Sequence, residues 1–460
     1  VTSIRKPMKQ QTEALRFIRA HEGQAGLFMA CGTGKTLVAI TYAKRHLPAL
    51  ILCRRDDFLT WKQELEAERV NPHHIHFIES GQGLFDAQRW TIITYDLAKK
   101  FTKQIRHTLF QTVIADESHM IKRWKAQRTK AIIRCTRHIP SRIPMTGTAI
   151  TNDPGDVFTQ CLFADDGRTF GRSYWSFRNH YYIQSGPGWY LKHNAKEKII
   201  SKLKGMAYYV HEDDVLKLPP IRRLIKSAPM SGQQKRHYDR VLNEWEIQLA
   251  GREVIEIDHV VTQLTKLRQI SSGFIYDQNH KATWFKSYKL KLLIDLLKDP
   301  DYLADKKKIV IWCAHTAEIC MLVAVAATLK MEAVAFTGGS RKRKDEARRR
   351  FRDDKTVKLF IGQVDSGVGM NELTIADTAI YYSNSFRVVS RKQSEMRIRR
   401  KGSERHRIIT YWDLVTENSA DEYILKALKG NISVANYILS RIRERQRISQ
   451  ILMQRALHLK

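Results

Sequence analysis

Long apolar runs are missing from this chain. The longest wholly apolar or small stretch, ICMLVAVAATL at 319–329, is well short of the roughly 20 residues that cross a bilayer, so no membrane partner is expected. The first ten residues, VTSIRKPMKQ, lack the apolar core of a secretory signal. Cysteine is scarce and scattered. The six, Cys31, Cys53, Cys135, Cys161, Cys313 and Cys320, form no C-x-x-C pair, which points to reduced thiols in a cytoplasmic protein. HHIH at 73–76 has no partner ligands nearby and reads as a surface loop rather than a metal site. Internal repeats and low-complexity tracts are also lacking, apart from RKRKDEARRRF at 341–351, which reads as a charged helix.

Acid is scarce relative to base. There are 79 Lys and Arg against 47 Asp and Glu, a net charge of +32 over 460 residues. Such a field favours a polyanion, because neutralising phosphates releases condensed counterions. Nucleic acid is the first candidate; an anionic membrane surface, the second, finds little support in a chain without an apolar span. With 43% hydrophobic residues the chain is globular, and its length suggests about two to three domains.

Short apolar, β-branched runs alternate with helical segments, the pattern of parallel sheets. GLFMA (26–30), ALILC (49–53), WTIITY (90–95), TVIADE (112–117) and RIPMTG (142–147) form one series. KIVIWCA (308–314), AVAFTG (333–338), VKLFIG (357–362), TAIYYS (378–383) and RIITYWDL (407–414) form another. Between them, 155–300 carries aromatic clusters, a GPG turn at 186–188 and LPP at 218–220. After Gly430 a basic amphipathic pattern predicts a C-terminal helix packed on the second domain.

MACGTGKT at 29–36 follows a strand and opens a helix, as a phosphate-binding loop requires. Gly32 and Gly34 let backbone N–H groups approach a triphosphate, Lys35 reaches the β and γ phosphates, and the Thr36 hydroxyl can ligate Mg²⁺. Met29 stands where the strict pattern has Gly. VIADESH at 113–119 supplies the carboxylates: Asp116 would hold Mg²⁺ through water, and Glu117 would orient or deprotonate the attacking water.

GTGKT, DESH, TGTAITN (146–152) and QSEMRIRRKG (393–402) resemble motifs I, II, III and VI of superfamily 2 helicases, in that order. ILCRRDDFLTWKQEL (51–65) with Trp61, IITYD (92–96), LPP and LRQISSGF (267–274) are similar to the Swi/Snf-like branch, GVGMNEL (367–373) resembles motif V, and SADEYI (419–424) resembles the segment that closes the family's second domain. Ala149 replaces the Pro usual in motif III, and Ser403 a Gln usual after motif VI.

The resemblance implies two tandem RecA-like α/β domains with parallel sheets, an inserted β-hairpin and helical region, and a C-terminal helix. Its expected boundaries are 1–222 for the ATP-binding domain with an insertion over about 155–215, and 223–300 for a linker and mainly helical insertion. The second domain is expected over 301–430 and a basic helix over 431–460. It implies ATP and Mg²⁺ as cofactors, with Cys31, Gly32, Thr33, Gly34, Lys35 and Thr36 around the phosphates, Gly369 from motif V, and an adenine-reading glutamine. Gln10 and Gln11 compete for that last role, and the spacing to Ala14 and Leu15 favours Gln11. Arg397 and Arg400 would face the γ-phosphate with Gln393 beside them, since a spacing of three puts both guanidinium groups on one side of a helix. Arg399 and Lys401 would point elsewhere. Thr146 and Thr148 are candidates for coupling the nucleotide to the nucleic-acid track, or form an ordinary strand-end turn.

RNHYYIQSGPGWYLKH at 178–193 reads as a β-hairpin. Its Trp189 and Tyr190 either separate strands or pack the insertion onto its domain. The leading reading is an ATP-driven DNA helicase or translocase that unwinds or branch-migrates forked and junction DNA, acting as a monomer in the cytoplasm, nucleoid-associated or phage-encoded in a host. The alternatives are a duplex translocase that displaces bound proteins without separating strands, and a passive basic nucleic-acid-binding protein. Motifs I to VI leave RNA open as the track; the Swi/Snf-like features favour DNA.

Overall fold

The computed structural model describes the chain except residues 1–4, 6, 31, 82–88, 148, 151–152, 186–187, 211–216, 251–256, 304, 306, 339–340, 366–371 and 431–460. Cys31, Thr148, Gly369 and the C-terminal helix expected over 431–460 therefore lie outside the described residues. The chain divides into two compact units, Val1–Leu218 and Pro219–Lys460.

The first unit carries β1 (Gly26–Met29), β2 (Ala49–Cys53), β3 (Ile75–Ile78), β4 (Trp90–Thr94), β5 (Thr112–Asp116), β6 (Ser141–Met145), β7 (Tyr182–Ser185), β8 (Gly188–Leu191) and β9 (Ala207–Val210). Seven of these form a parallel sheet in the order β3-β4-β2-β5-β6-β1-β9. Side chains alternate between faces along a strand, and both faces here are covered by helices, so the strands read as continuous apolar runs. On β2, Ala49, Ile51 and Cys53 join one core with Trp61 and Leu65. Leu50 and Leu52 join the other, with Ile105 and Ile132. Because β1, β6 and β5 are parallel neighbours, their C-terminal ends open side by side, the usual ligand position in such sheets.

The hairpin predicted from GPG is present: β7 and β8 pair antiparallel, with Tyr182 opposite Leu191 and Gln184 opposite Trp189. It sits on an aromatic cluster in which Phe158, Phe170, Phe177 and Tyr181 are buried with Ile199 and Leu203.

The second unit carries β10 (Ile221–Ala228), β11 (Phe274–Tyr276), β12 (Ala282–Trp284), β13 (Ile309–Cys313), β14 (Glu332–Phe336), β15 (Val357–Gln363), β16 (Thr378–Tyr381) and β17 (Ile409–Thr416). Six form a second parallel sheet, ordered β10-β17-β16-β13-β15-β14. Helices Gly232–Ala250 and Ile257–Ser271 pack through Tyr238, Leu264 and Ile270 on Ile424 and Leu428 of helix Ala420–Lys429.

Two placements differ from the sequence reading. The units divide after Leu218 rather than after residue 222, because Ile221–Ala228 is an edge strand of the second sheet, paired along its length with β17. Arg222, Arg223 and Lys226 make it resemble a linker; charge on an edge strand blunts pairing with other chains. His73 and His74 lie in a short turn as expected, but Ile75–Ile78 is the edge strand β3 rather than a loop.

Candidate functional site

The loop after β1 enters helix Lys35–Ala43 through two left-handed residues, Gly32 at φ 82° and Gly34 at φ 86°. A Cβ on Gly34 would fall 1.8 Å from Gln11 Nε2, so glycine is required there by both backbone and space. Thr33 is buried and its hydroxyl donates to the Ala30 carbonyl at 2.7 Å, tightening the turn. The helix begins at Lys35, with Thr36 half-buried in its first turn, so the N-terminal end of the helix dipole, favourable to anions, lies at the mouth of the loop.

The structure separates the two competing glutamines. Gln11 Nε2 donates to the Gly34 carbonyl at 3.4 Å while its Oε1 accepts from the Met8 N–H at 2.7 Å. Gln10 turns to the Met8 sulfur instead.

Asp116 ends β5. Its Oδ2 accepts from the Trp61 indole at 2.9 Å and its Oδ1 from the Glu117 N–H at 3.0 Å, while Tyr95 Oη donates to its carbonyl at 2.6 Å. Burial and then the Glu117 charge push the Asp116 carboxyl upward, against the pull of Lys35 and the Trp61 hydrogen bond. Asp57 lies in the same buried region, with Oδ2 unpartnered. Burial and the Asp116 charge push its carboxyl up to about 8.

Glu117 has φ 49°, an uncommon left-handed conformation for a side chain of this size. Its Oε2 accepts from Thr146 Oγ1 at 3.2 Å and lies 3.2 Å from His119 Nδ1. Arg54 Nη2 lies 3.0 Å from His119 Nε2. A guanidinium only donates, so Nε2 accepts, Nδ1 carries the proton, and His119 donates to Glu117. Burial would raise the Glu117 carboxyl, but the His119 hydrogen bond and the Lys35 charge outweigh it and hold it well below the usual carboxylate range. Glu117 is thus an ionised, oriented carboxylate near Lys35.

One hydroxyl and one carboxylate, Thr36 and Asp116, are hard oxygen donors of the kind that suits Mg²⁺, which keeps several waters and shares the rest with phosphate. Among the described residues no group of three or more His, Cys, Asp or Glu is arranged to hold a metal.

In the second unit, helix Val388–Ile398 ends before Arg400. The expectation that Arg397 and Arg400 share one side of a helix is therefore corrected: the chain turns at Gly402, φ 103°, and the Arg400 N–H donates to Ser403 Oγ at 3.2 Å. Arg397 is buried, 5.2 Å from the Trp312 ring, and Gln393 is half-buried on the same helix. Arg399 donates to the Pro219 carbonyl at 2.7 Å, and Lys401 is exposed. Arg391, which the sequence motifs did not single out, is also buried on this helix. It stacks 3.4 Å from the Tyr381 ring and forms ion pairs with Asp413 and Glu395.

The hairpin aromatics part company. Trp189 packs against the insertion core with the Arg178 guanidinium 4.1 Å from its ring. Tyr190 is 54% exposed, as is its cross-strand partner Ile183 at 57%.

Residues 9–273, more than half of the chain, match the SNF2-related domain family. The chain belongs to that family. The Swi/Snf-like motifs of this SNF2-related chain therefore mark membership, and its two parallel sheets are the two α/β domains expected from them. Over 158 residues it is 29% identical to SWI/SNF-related matrix-associated actin-dependent regulator of chromatin subfamily A-like protein 1 of Xenopus tropicalis, covering 33% of this chain and 17% of that protein. Over 161 residues it is 26% identical to DNA annealing helicase and endonuclease ZRANB3 of Bos taurus, covering 33% of this chain and 15% of that one. The matched stretches thus span less than a fifth of these relatives' lengths. Among solved structures, the Sulfolobus solfataricus SWI2/SNF2 ATPase core in complex with dsDNA aligns over 93% of this chain and 92% of that chain, at 19% identity and a TM-score of 0.44. Among the described residues no helix is long and apolar enough to cross a membrane.

Trp61, His119 and Arg54 carry the geometry the sequence reading did not assign. Trp61 and Arg54 both lie in the branch feature ILCRRDDFLTWKQEL and His119 is the last residue of DESH, but the motifs assign Arg54 and His119 no role of their own.

Proposed function

We propose that this SNF2-related chain is a DNA-dependent ATPase that moves on DNA and unwinds or branch-migrates forked and junction DNA. The observation that carries the proposal is the arrangement at the ends of β1, β5 and β6. A glycine loop opens a helix at Lys35, and beside it stand one carboxylate tied to Trp61 and a second that accepts from Thr146 and is held ionised by His119 and the Lys35 charge.

In this reading the loop amides and Lys35 bind the β and γ phosphates of ATP, and Gln11 reads the adenine. Thr36 and Asp116 hold Mg²⁺, which when bound neutralises phosphate charge. Glu117 takes a proton from a water as the water oxygen bonds to the γ-phosphorus and the bridging bond to the β-phosphate breaks, giving ADP and phosphate. Arg397 and Arg400 are the proposed second-unit cations for the γ-phosphate. Thr146, bonded to Glu117, is the proposed link to the nucleic-acid track, and Tyr190 is the hairpin group proposed to meet unpaired bases. The similarity to the DNA annealing helicase and endonuclease ZRANB3 supports a DNA substrate, as does the charge of +32.

The test compares ATP-dependent strand exchange or unwinding on a fork, a four-way junction, a blunt duplex and RNA. Activity on fork and junction DNA is expected. ATP-dependent protein displacement from duplex with no strand separation would favour the duplex-tracking alternative. Binding without turnover would favour a passive nucleic-acid-binding protein.

A further inference from the structure

A second concavity in the first unit lies apart from the nucleotide loop. It runs between helices Gln127–Thr136 and Phe158–Asp165 and encloses about 850 Å³, within the usual range of ligand sites. Arg106, Lys130, Arg134, Arg137 and Arg172 line it against a single carboxylate, Asp166, which Arg137 and Arg172 already engage. Arg106, Lys130 and Arg134 have no acidic partner among the described residues.

One wall is aromatic. Trp124 stacks on Tyr174 with centroids 4.6 Å apart, and Trp175 meets Trp124 edge-on at 5.6 Å. Trp175 is 49% exposed, an unusual position for an indole in a solvated groove. Arg178 adds charge 5.5 Å from its ring. The lining also includes Thr129, 1% exposed, whose hydroxyl has no hydrogen-bond partner, although buried hydroxyls normally have one.

We infer that this groove binds single-stranded DNA, with an unpaired base on Trp175 and flanking phosphates on Arg106, Lys130 and Arg134. A basic track combined with exposed aromatic faces is the chemistry that holds unpaired strands. A duplex or an acidic peptide satisfies the cations but presents no free base to the indole. The inference rests on the DNA-motor reading, since a fork is what supplies an unpaired arm. The groove also adjoins the hydrolytic turn: Thr159, on its wall, donates to the Ile121 carbonyl at 2.6 Å, and the next residue, Gln160, accepts from Ser118 Oγ at 2.7 Å and donates to the Ala149 carbonyl at 2.9 Å.

The experiment measures fluorescence anisotropy of a labelled oligothymidine on the full chain without ATP, alongside duplex-stimulated ATPase. Trp175→Ala is expected to weaken oligothymidine binding by about tenfold, with substantial rescue in Trp175→Phe and with duplex-stimulated ATPase and melting temperature unchanged. Arg106→Ala with Arg134→Ala is expected to reduce the salt slope for the single strand by about 1.4, at about 0.7 per phosphate contact. Oligothymidine binding unchanged in Trp175→Ala overturns the proposal. So does equal weakening for single strand and duplex, or competition by inorganic polyphosphate or polyglutamate that is as strong as that by unlabelled oligothymidine. If no DNA stimulates the ATPase but oligothymidine binding still depends on Trp175, the motor reading falls and the site stands. If DNA stimulates the ATPase and that dependence is absent, the site falls and the motor stands.

Discussion

The Trp61 indole N–H donates to Asp116 Oδ2 at 2.9 Å, from 55 residues earlier in the chain. Trp61 is fully buried, so this bond fixes the direction in which the carboxylate faces the loop. Such orienting partners typically contribute 10- to 100-fold to metal affinity or activity. Trp61→Phe keeps most of the packing and removes only the donor. The Mg²⁺ concentration for half-maximal ATPase should rise by about tenfold, with about 1 to 2 kcal/mol lost in stability. A magnesium titration with a parallel urea melt checks both, and an unchanged magnesium dependence would remove Trp61 from the site.

Arg54 is hydrogen-bonded to His119, which donates to Glu117, and its charge also acts on the Glu117 carboxylate. If its role is to fix the imidazole tautomer, Arg54→Ala should lower ATPase turnover by about tenfold, and the same substitution in a His119→Ala background should cost nothing further. A double-mutant cycle reads this directly. Additive losses would mean that Arg54 acts on another group.

The hairpin pair is expected to divide in function as it does in burial. Trp189→Ala, which removes packing and the Arg178 contact, should lower the melting temperature. Tyr190→Ala should leave melting and ATPase intact and reduce strand separation by the equivalent of about 1 to 3 kcal/mol, the value of one base stacked on an aromatic ring. Strand separation unaffected by Tyr190→Ala assigns the hairpin a packing role alone.

The geometry of the loop after β1 and of the end of β5 was legible because each is local. Gly32, Gly34, Lys35 and Thr36 lie within one turn whose geometry dictates its residues, and Asp116 and Glu117 are adjacent at a strand end. The bond from Trp61 to Asp116 and the chain Arg54–His119–Glu117 join residues distant in sequence, and no periodicity encodes them. The edge strand Ile221–Ala228 was missed because hydrophobic alternation fades on a strand whose residues, apart from Ala228, are exposed or half-buried. Spacing suggested a common helical face for Arg397 and Arg400; the helix stops between them, at a turn set by Gly402 and Ser403.

His315 in the second unit accepts from Arg268 Nε at 3.1 Å. Burial holds its pKa down at about 4, against the opposing pull of Glu318. Between about pH 6.5 and pH 4 the unfolded imidazole binds a proton that the folded one does not, so stability falls as pH drops through this window, by at most about 1.4 kcal/mol per pH unit from this group. His315→Gln keeps an acceptor for Arg268 and removes the titration. Its urea-unfolding free energy should therefore decline less steeply than wild type between pH 6.5 and 4. Identical slopes would show that His315 does not contribute to the acid lability.

The most direct measurement of the central claim is steady-state ATPase rate with and without DNA, in wild type, Lys35→Ala and Glu117→Gln. A low basal rate in wild type that rises on adding DNA is expected, with no turnover in either variant although both still bind DNA. Equal wild-type rates with and without nucleic acid, or turnover surviving in Glu117→Gln, would contradict the claim.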